Sequence, residues 1–306
     1  MQKIIFAGTS EFGVPTLEKL KSSYELVLII TQPDKPLGRK QILTASPIKL
    51  WAQKNNIPVE QAERIKNLES RIKELAPDLL LVIAYGQIIP KEILKIPKFD
   101  SINVHGSLLP KYRGASPIQS AILNGDGETG ITLIKMDEQM DHGQIIAKEV
   151  VRLTGTETFS ELYLQLSKVA ADLVVRILPA WFAGKIKSAE QIHSQATFCK
   201  LLNRADGKID WSSLAKLIDQ KIRALNPEPG TWTMLDGKIV KILSARVLNE
   251  SKIELPGKIY SQLGELAVKC LDASLIITQI QPEGKNPMSG KDFLNGLKNL
   301  NHKLFI

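Results

Sequence analysis

The sequence predicts an α/β protein with a doubly wound, mostly parallel sheet, followed by a second and smaller β-barrel. Short apolar runs alternate with helix-like segments through the first part of the chain. Several of these runs are apolar along their whole length, which is typical of parallel strands that are buried on both faces. Beyond residue 205 the pattern changes to short alternating strands separated by turns that contain Gly and Pro. That second pattern favours a small barrel.

The chain begins with a predicted strand, a turn and a helix. Residues 3–7, KIIFA, predict the strand, and a helix-like segment starts at Val14. The turn between them has Ser10 where a dinucleotide-binding turn requires its second glycine, the residue that lets a pyrophosphate approach the backbone. We therefore interpret it as a structural turn and expect no nicotinamide cofactor.

A second strand is predicted over residues 25–31, and it runs into the polar segment QPDKPLGRKQ at residues 32–41. Two prolines and a glycine interrupt this segment, so we expect an exposed, mobile loop and no helix or strand. Its basic residues, Lys35, Arg39 and Lys40, are compatible with an ordinary solvated surface. A contact with an acidic partner is the functional alternative.

The next elements continue the alternation of helix and strand. Ser46 and Pro47 predict a helix start, because proline already has the backbone φ of a first helical turn. A strand-like IPVEQ, a helix from Arg64 to Ala76 and the buried strand DLLLVI follow. That strand ends in a glycine loop, Ala84 to Pro90, which is either a tight connection or part of a pocket.

The most informative polar residues lie on the next predicted strand, SINVH. Asn103 and His105 are two residues apart there, so both side chains point to the same face, at the strand end where open α/β sheets bind ligands. Asp141 follows a second strand-like run, GITLIKM, and its carboxylate reaches His105 if the two strands are neighbours. Asn and protonated His can donate to an oxyanion while Asp orients the His and accepts a proton, which suits acyl transfer to an amine. The spacing alone leaves a structural role for all three residues open.

The rest of the chain predicts further helices, a linker and the second domain. GASPIQSAILNGD predicts a helix that starts at Ser116 and Pro117, and apolar spacing from Thr156 to Gly184 predicts a long covering helix. Residues 185–204 lose this periodicity, so we interpret them as a linker between domains. A helix through Arg223, five short strands and a final helix follow.

Composition restricts the class of protein. The 306 residues carry a formal charge of +8 and a sequence pI of about 9.3, which favours an acidic partner without naming one. Cys199 and Cys270 are too far apart for a metal pair and too few for a disulfide framework, and the four histidines form no recognisable zinc motif with them. There is no apolar segment of membrane-spanning length. We expect a cytoplasmic protein without a metal or a membrane, and no protein partner is evident.

Two long stretches carry a resemblance to known enzymes. NVHGSLLPKYRGASPIQ and GDGETGITLIKMDEQMDHG resemble the formyltransferases that use 10-formyltetrahydrofolate, and specifically the methionyl-tRNA formyltransferase family. DGKIDW, IRALNPEPGT and GKNPM extend this similarity over nearly the full chain. The resemblance implies transfer of the formyl group to the α-amino group of initiator methionyl-tRNA, which gives N-formylmethionyl-tRNA for translation initiation. It also implies that Asn103, His105 and Asp141 are catalytic.

The same resemblance implies two sets of binding residues. The folate set comprises Ser107, Leu108, Leu109 and Pro110, together with Tyr85, Gly86 and Ile88 of the glycine loop. The tRNA set comprises Lys35, Arg39 and Lys40, although residues 41–46 are less basic than the corresponding residues usual in the family. His142 stands where the family usually has a small hydroxyl residue, and the sequence leaves open whether this second imidazole perturbs Asp141, competes for it or does neither.

The resemblance leads us to expect a Rossmann-like, folate-binding catalytic domain over residues 1–184, a linker over 185–204 and an OB-like, tRNA-binding barrel over 205–306. The second domain is not needed by a stand-alone glycinamide ribonucleotide formyltransferase. A folate-dependent sugar-nucleotide formyltransferase is the enzymatic alternative. A non-catalytic RNA-binding protein is the other alternative, and it leaves the Asn, His and Asp pattern unexplained.

Overall fold

The computed structural model describes residues 1–38, 40–249, 255–298 and 300–306. The chain forms two compact units, and each unit is built from three separate segments. The first unit contains Met1–Pro117, Glu128–Arg152 and Tyr163–Cys199. The second unit contains Ile118–Gly127, Leu153–Leu162 and Lys200–Ile306. Among the described residues, no helix has both the length and the hydropathy needed to cross a bilayer.

The strands are β1 (Lys3–Gly8), β2 (Glu25–Thr31), β3 (Lys35–Leu37), β4 (Ile42–Thr44), β5 (Val59–Gln61), β6 (Leu79–Ile83), β7 (Ser101–His105), β8 (Arg113–Gly114), β9 (Glu128–Lys135), β10 (Ile145–Arg152), β11 (Phe198–Cys199), β12 (Thr231–Leu235), β13 (Lys238–Leu248), β14 (Ile259–Gln262), β15 (Glu265–Lys269), β16 (Ser274–Pro282) and β17 (Met288–Ser289). The α-helices are α1 (Val14–Leu20), α2 (Pro47–Lys54), α3 (Glu69–Leu75), α4 (Lys91–Leu94), α5 (Pro117–Leu123), α6 (Phe159–Phe182), α7 (Ala215–Leu225) and α8 (Gly290–Asn295).

The first unit is built on a seven-stranded sheet with the order β10-β9-β7-β6-β1-β2-β5. The five strands from β7 to β5 run parallel, whereas β9 pairs antiparallel with β7 and β10 pairs antiparallel with β9. β6 is buried along all five of its residues, as its continuous apolar sequence predicts for a strand covered on both faces. The expected mostly parallel α/β sheet is confirmed.

One local prediction in this unit is wrong. Residues 32–41 were expected to contain no regular element, but β3 pairs antiparallel with β4, with Lys35 opposite Thr44. The chain reverses at Gly38, which has φ +70°, and the Gln41 amide donates to the Gly38 carbonyl at 3.2 Å. Pro36 is tolerated because each strand of an isolated two-stranded ribbon is an edge, where a missing N–H does not break a ladder. Lys35 and Lys40 are exposed on this β3–β4 hairpin, and Arg39 lies outside the described residues.

The second unit contains an antiparallel sheet with the order β12-β13-β16-β15-β14, and β17 pairs with β16. Residues 303–306 bridge its two edges. Met234 of β12 exchanges two 3.0 Å backbone hydrogen bonds with Ile306, and Ile259 of β14 donates to the carbonyl of Lys303 at 3.3 Å. Phe305 is buried between these contacts. The bridging closes the sheet in the way that a barrel requires.

The segment over residues 185–204, expected to be a linker, is divided between the units. Residues up to Cys199 belong to the first unit, and Lys200 begins a segment of the second unit. In the first unit this segment forms β11, which pairs in parallel with β8.

Candidate active site

Neighbouring strands bring Asn103, His105 and Asp141 together. β7 and β9 pair with His105 opposite Thr132, and Asp141 lies in the connection from β9 to β10. The oxygen Oδ1 of Asp141 lies 3.2 Å from Nδ2 of Asn103 and 3.4 Å from Nδ1 of His105. Its other oxygen, Oδ2, accepts a hydrogen bond of 2.9 Å from the Gly114 backbone amide. Both carboxylate oxygens are therefore held.

The hydrogen-bond partners of His105 indicate how its ring is protonated. Nε2 lies 2.9 Å from the backbone carbonyl of Tyr112, which can only accept, so Nε2 carries a hydrogen. Nδ1 lies 3.4 Å from Oδ1 of the Asp141 carboxylate. The ring therefore lies between two acceptors. A substrate oxyanion would have to replace one of these acceptors to receive a hydrogen bond from the ring.

Two residues at this site have an unusual backbone. Asp141 has φ +50° and Tyr112 has φ +60°. Both values lie in the left-handed region, which residues other than Gly rarely adopt. Each such residue costs about 1–3 kcal/mol and persists only where its surroundings hold it. The positions of the Asp141 carboxylate and the Tyr112 carbonyl thus depend on the segments that bind their peptides.

Side chains of strands β9 and β10 hold the backbone of the Ser107–Pro110 loop. The Thr132 hydroxyl donates to the Ser107 carbonyl at 2.7 Å and accepts from the Leu109 amide at 3.1 Å. The ammonium of Lys148, on β10, donates to the Leu109 carbonyl. Leu109 is fully buried, whereas Leu108 and Pro110 are half-buried. The loop therefore presents Leu108 and Pro110, with Leu109 anchored in the interior.

The other three expected folate residues have different surroundings. The Tyr85 side chain lies in the apolar core with Ile5 and Leu28, where burial raises the pKa of its hydroxyl to about 12. No other described residue forms a hydrogen bond with that hydroxyl. Gly86 has φ +80°, and a Cβ at this position would lie 2.5 Å from Nε2 of Gln32. Ile88 is 78% exposed. A shared folate-binding role for these residues stays a prediction.

His142 does not bind Asp141. Its Nδ1 lies 2.6 Å from Oδ2 of Asp137, and its ring stacks on that of His193 with centroids 4.1 Å apart. Of the effects left open by the sequence, competition of His142 for Asp141 is therefore not found. The carboxylate that binds the His142 side chain is that of Asp137, five residues earlier in the chain.

The residues that hold the Asp141 peptide are not predictable from the sequence pattern. Gln191 is 4% exposed, and its Nε2 donates to the carbonyls of Asp141, at 2.8 Å, and Gly143, at 2.7 Å. Its Oε1 accepts from the buried guanidinium of Arg113 at 2.7 Å and 3.2 Å. No helical or strand-like periodicity marks Gln191 in the sequence, so only the three-dimensional contacts identify it.

The expected tRNA-binding lysines and the metal prediction are not tested by this geometry. The Lys35 ammonium donates to Oε1 of Gln32 at 2.5 Å, and Lys40 lies exposed near the turn of the hairpin. Within the described part of the chain, no cluster of three or more His, Cys, Asp or Glu side chains is placed to hold a metal ion.

Comparison with known proteins identifies a formyl transferase family in the N-terminal and in the C-terminal part of the chain. The formyl transferase family matches residues 2–178, and the formyl transferase C-terminal domain family matches residues 201–298. A methionyl-tRNA formyltransferase of Listeria monocytogenes is 40% identical over 300 residues, covering 97% of this chain and 96% of that protein. A methionyl-tRNA formyltransferase of Methylococcus capsulatus is 38% identical over 296 residues, covering 96% of each.

Two solved structures with the same fold have more distant sequences than these relatives. A sugar 3N-formyltransferase crystallised with dTDP and 5-N-formyl-THF superposes with a TM-score of 0.68 at 22% identity, covering 94% of this chain and 99% of that one. An N-formyltransferase from Helicobacter canadensis, in complex with folinic acid and dTDP-3-aminofucose, gives a TM-score of 0.70 at 21% identity, covering 92% and 100%. At these identities the similarity establishes the fold alone.

Proposed function

The chain belongs to the methionyl-tRNA formyltransferase family, and from that premise we propose that it transfers the formyl group of 10-formyltetrahydrofolate to the α-amino group of initiator methionyl-tRNA. The product is N-formylmethionyl-tRNA, the substrate of translation initiation. The proposed reaction belongs to the cytoplasm, where charged tRNA is made and used. Identities near 40% over the whole chain favour this substrate over a sugar nucleotide, since the sugar 3N-formyltransferase and the N-formyltransferase bound to dTDP-3-aminofucose match at only 22% and 21%.

The close grouping of Asn103, His105 and Asp141, called the trio below, is the observation that supports the proposal most. In the proposed reaction the amine attacks the formyl carbon, and Asn103 and His105 donate to the oxyanion that develops. The Asn103 amide has two N–H groups, so it can donate to the substrate while it keeps its bond to Asp141. Asp141 accepts the proton of the attacking nitrogen, directly or through water. The bond from the formyl carbon to N10 of the folate then breaks, and N10 takes up a proton.

We propose that the formyl donor binds against the Ser107–Pro110 loop. Leu108 and Pro110 are placed to flank a flat ring, because they are half-buried while Leu109 anchors the loop. No metal enters this proposal, since a carboxamide and an imidazole supply the electrophilic help. Activity is expected to survive a chelator once Mg²⁺ needed by the tRNA is restored.

The proposal assigns tRNA binding to the β3–β4 hairpin and to the second unit. Lys35, Arg39 and Lys40 give the hairpin a positive charge that suits a phosphate backbone. A forked arginine contact to base edges would additionally distinguish one tRNA from another. The net charge of +8 supports an acidic partner of this kind.

A formyl-transfer assay with purified protein tests the proposed function. The donor is 10-formyltetrahydrofolate, and the acceptors are initiator methionyl-tRNA, elongator methionyl-tRNA and an amino-sugar nucleotide. We expect formylation of the initiator substrate above both others. Preferred formylation of the sugar nucleotide would replace the proposal with the sugar alternative, and tRNA binding without any formylation would favour a non-catalytic RNA-binding protein.

A further inference from the structure

The segment over residues 191–199 contacts both loops that bear on His105. On one side, Gln191 donates to the carbonyls of Asp141 and Gly143. These two bonds hold the peptide on which the left-handed Asp141 depends. Asp141 in turn contacts Nδ1 of His105.

On the other side, Thr197 holds Tyr112. Its hydroxyl accepts a hydrogen bond of 2.9 Å from the Tyr112 amide, and its carbonyl accepts one of 2.8 Å from the Arg113 amide. Tyr112 also has a left-handed backbone, and its carbonyl is the acceptor for Nε2 of His105. The backbones of Gly114 and Cys199 lie close together. A Cβ added to Gly114 would be only 2.1 Å from the carbonyl oxygen of Cys199.

One stretch of nine residues therefore determines the position of the acceptors on both sides of the His105 ring. We propose that Gln191 and Thr197 are positioning residues for formyl transfer, which set the Asp141 carboxylate and the Tyr112 carbonyl around His105. This inference rests on the proposed function. Neither residue reaches the reacting atoms in the proposed reaction, so both act through the groups that they hold.

The chemistry of Gln191 explains why an amide is required at this position. The Arg113 guanidinium has only donors, so it fixes the carbonyl oxygen of the Gln191 amide on its side. The NH₂ group must then face the two loop carbonyls, and both of its hydrogens are used. A glutamate would keep Arg113 as a partner but would turn acceptor oxygens toward two carbonyl oxygens. A methionine of similar length would lose all four hydrogen bonds.

The first test compares Gln191→Met and Gln191→Glu with Gln195→Met, the same loss at an exposed glutamine of the same segment. We expect both Gln191 variants to lower kcat by roughly 10²-fold, the cost of a small misplacement of reacting groups. KM for the formyl donor should stay within about twofold, because the Ser107–Pro110 loop is held by other residues. Gln195→Met should match the wild type in both constants.

A second pair keeps the test informative if the Gln191 variants fail to fold. Thr197→Val removes the acceptor for the Tyr112 amide at equal size, and Thr197→Ser restores it. We expect a lower kcat for the valine variant and recovery in the serine variant. Equal kcat for valine, serine and wild type, or a Gln191 effect confined to thermal stability, would overturn the inference. Absence of formyl transfer in the wild type would instead refute the proposed function.

Discussion

Among the residues of the proposed active site, His105 has the most restricted surroundings. Its two ring nitrogens face a backbone carbonyl and a carboxylate, and the ring is almost completely buried. These two contacts fix the orientation of the ring before substrate arrives. One of the two acceptors must be displaced before the ring can donate to the oxyanion.

We expect Asn103→Ala, His105→Ala and Asp141→Ala each to reduce kcat by roughly 10²–10³-fold, the usual cost of losing one donor or base. Thermal unfolding and folate-analogue binding should show that the variants remain folded. Asp137→Asn is the matched control, because Asp137 binds His142 and not the trio. Wild-type turnover in a folded Asp141→Ala protein would remove Asp141 from the mechanism.

The elements around the site divide into those that the sequence predicts and those that it does not. β2 and β7 have the predicted bounds, residues 25–31 and 101–105. The apolar run at residues 26–30 predicts the centre of β2, as expected for a strand inside a parallel sheet. β8 and β11 have two residues each and pair across about 85 positions of chain, so no local pattern marks them. The trio was predictable from residue type and strand spacing, but the left-handed backbone of Asp141 was not, since aspartate has no strong preference for it.

At the level of the Ser107–Pro110 loop, we expect Thr132→Val and Lys148→Met to weaken binding of the formyl donor. Each variant removes hydrogen bonds that fix the loop backbone, so KM for the donor should rise more than kcat falls. Lys168→Met, at an exposed lysine of α6, is the control for general loss of positive charge. Steady-state kinetics at varied donor concentration give both constants. A fall in kcat at unchanged KM would mean that these residues serve the trio and not the loop.

The β3–β4 hairpin is anchored at its base by Asp34. Its carboxylate accepts from Lys49 of α2 and Gln61 of β5, at 2.7 Å and 2.8 Å. These bonds, that to Lys49 first, lower the pKa of the Asp34 carboxyl. A carboxyl group whose pKa is lowered in the folded state stabilises that state fully at any pH above its ordinary pKa. The contacts of Asp34 should therefore persist at neutral pH. It should be lost only as the pH falls through the lowered pKa.

Asp34→Asn and Lys49→Met are expected to lower kcat/KM for methionyl-tRNA, since a loosened hairpin must be ordered again on binding. Folate-analogue binding should not change. If both residues act through one contact, the double variant should lose no more than the larger single effect. Additive losses would show that the two side chains contribute separately, and an unchanged kcat/KM would exclude the anchor from tRNA binding.

On the scale of the whole molecule, the interleaving of the two units limits how the chain can be divided. The expected boundary at residue 184 would remove Gln191 and Thr197 from the first unit. A boundary after Cys199 keeps them but separates segments of the second unit. For example, Arg223 donates to the carbonyl of Glu157 at 2.8 Å, and both residues belong to that unit.

A chain shortened to residues 1–199 is therefore expected to unfold at a lower temperature than the full chain and to bind a hydrophobic dye. Residues 118–127 and 153–162 would lose the rest of their compact unit. The control is the full chain cleaved after Cys199, in which both pieces remain present. Cooperative unfolding of the 1–199 chain at the temperature of the full protein would contradict this expectation.

The same interleaving has a consequence for synthesis on the ribosome. Ile118–Gly127 and Leu153–Leu162 are made well before Lys200–Ile306, the segment with which they form a unit. Contacts between such distant segments form late, because the intervening chain must first be brought together at an entropic cost. All seven strands of the first sheet are already available at that stage. A nascent chain that stalls before residue 200 would thus have a nearly complete sheet and two segments that lack the rest of their compact unit. A chaperone would be expected to bind at those two segments.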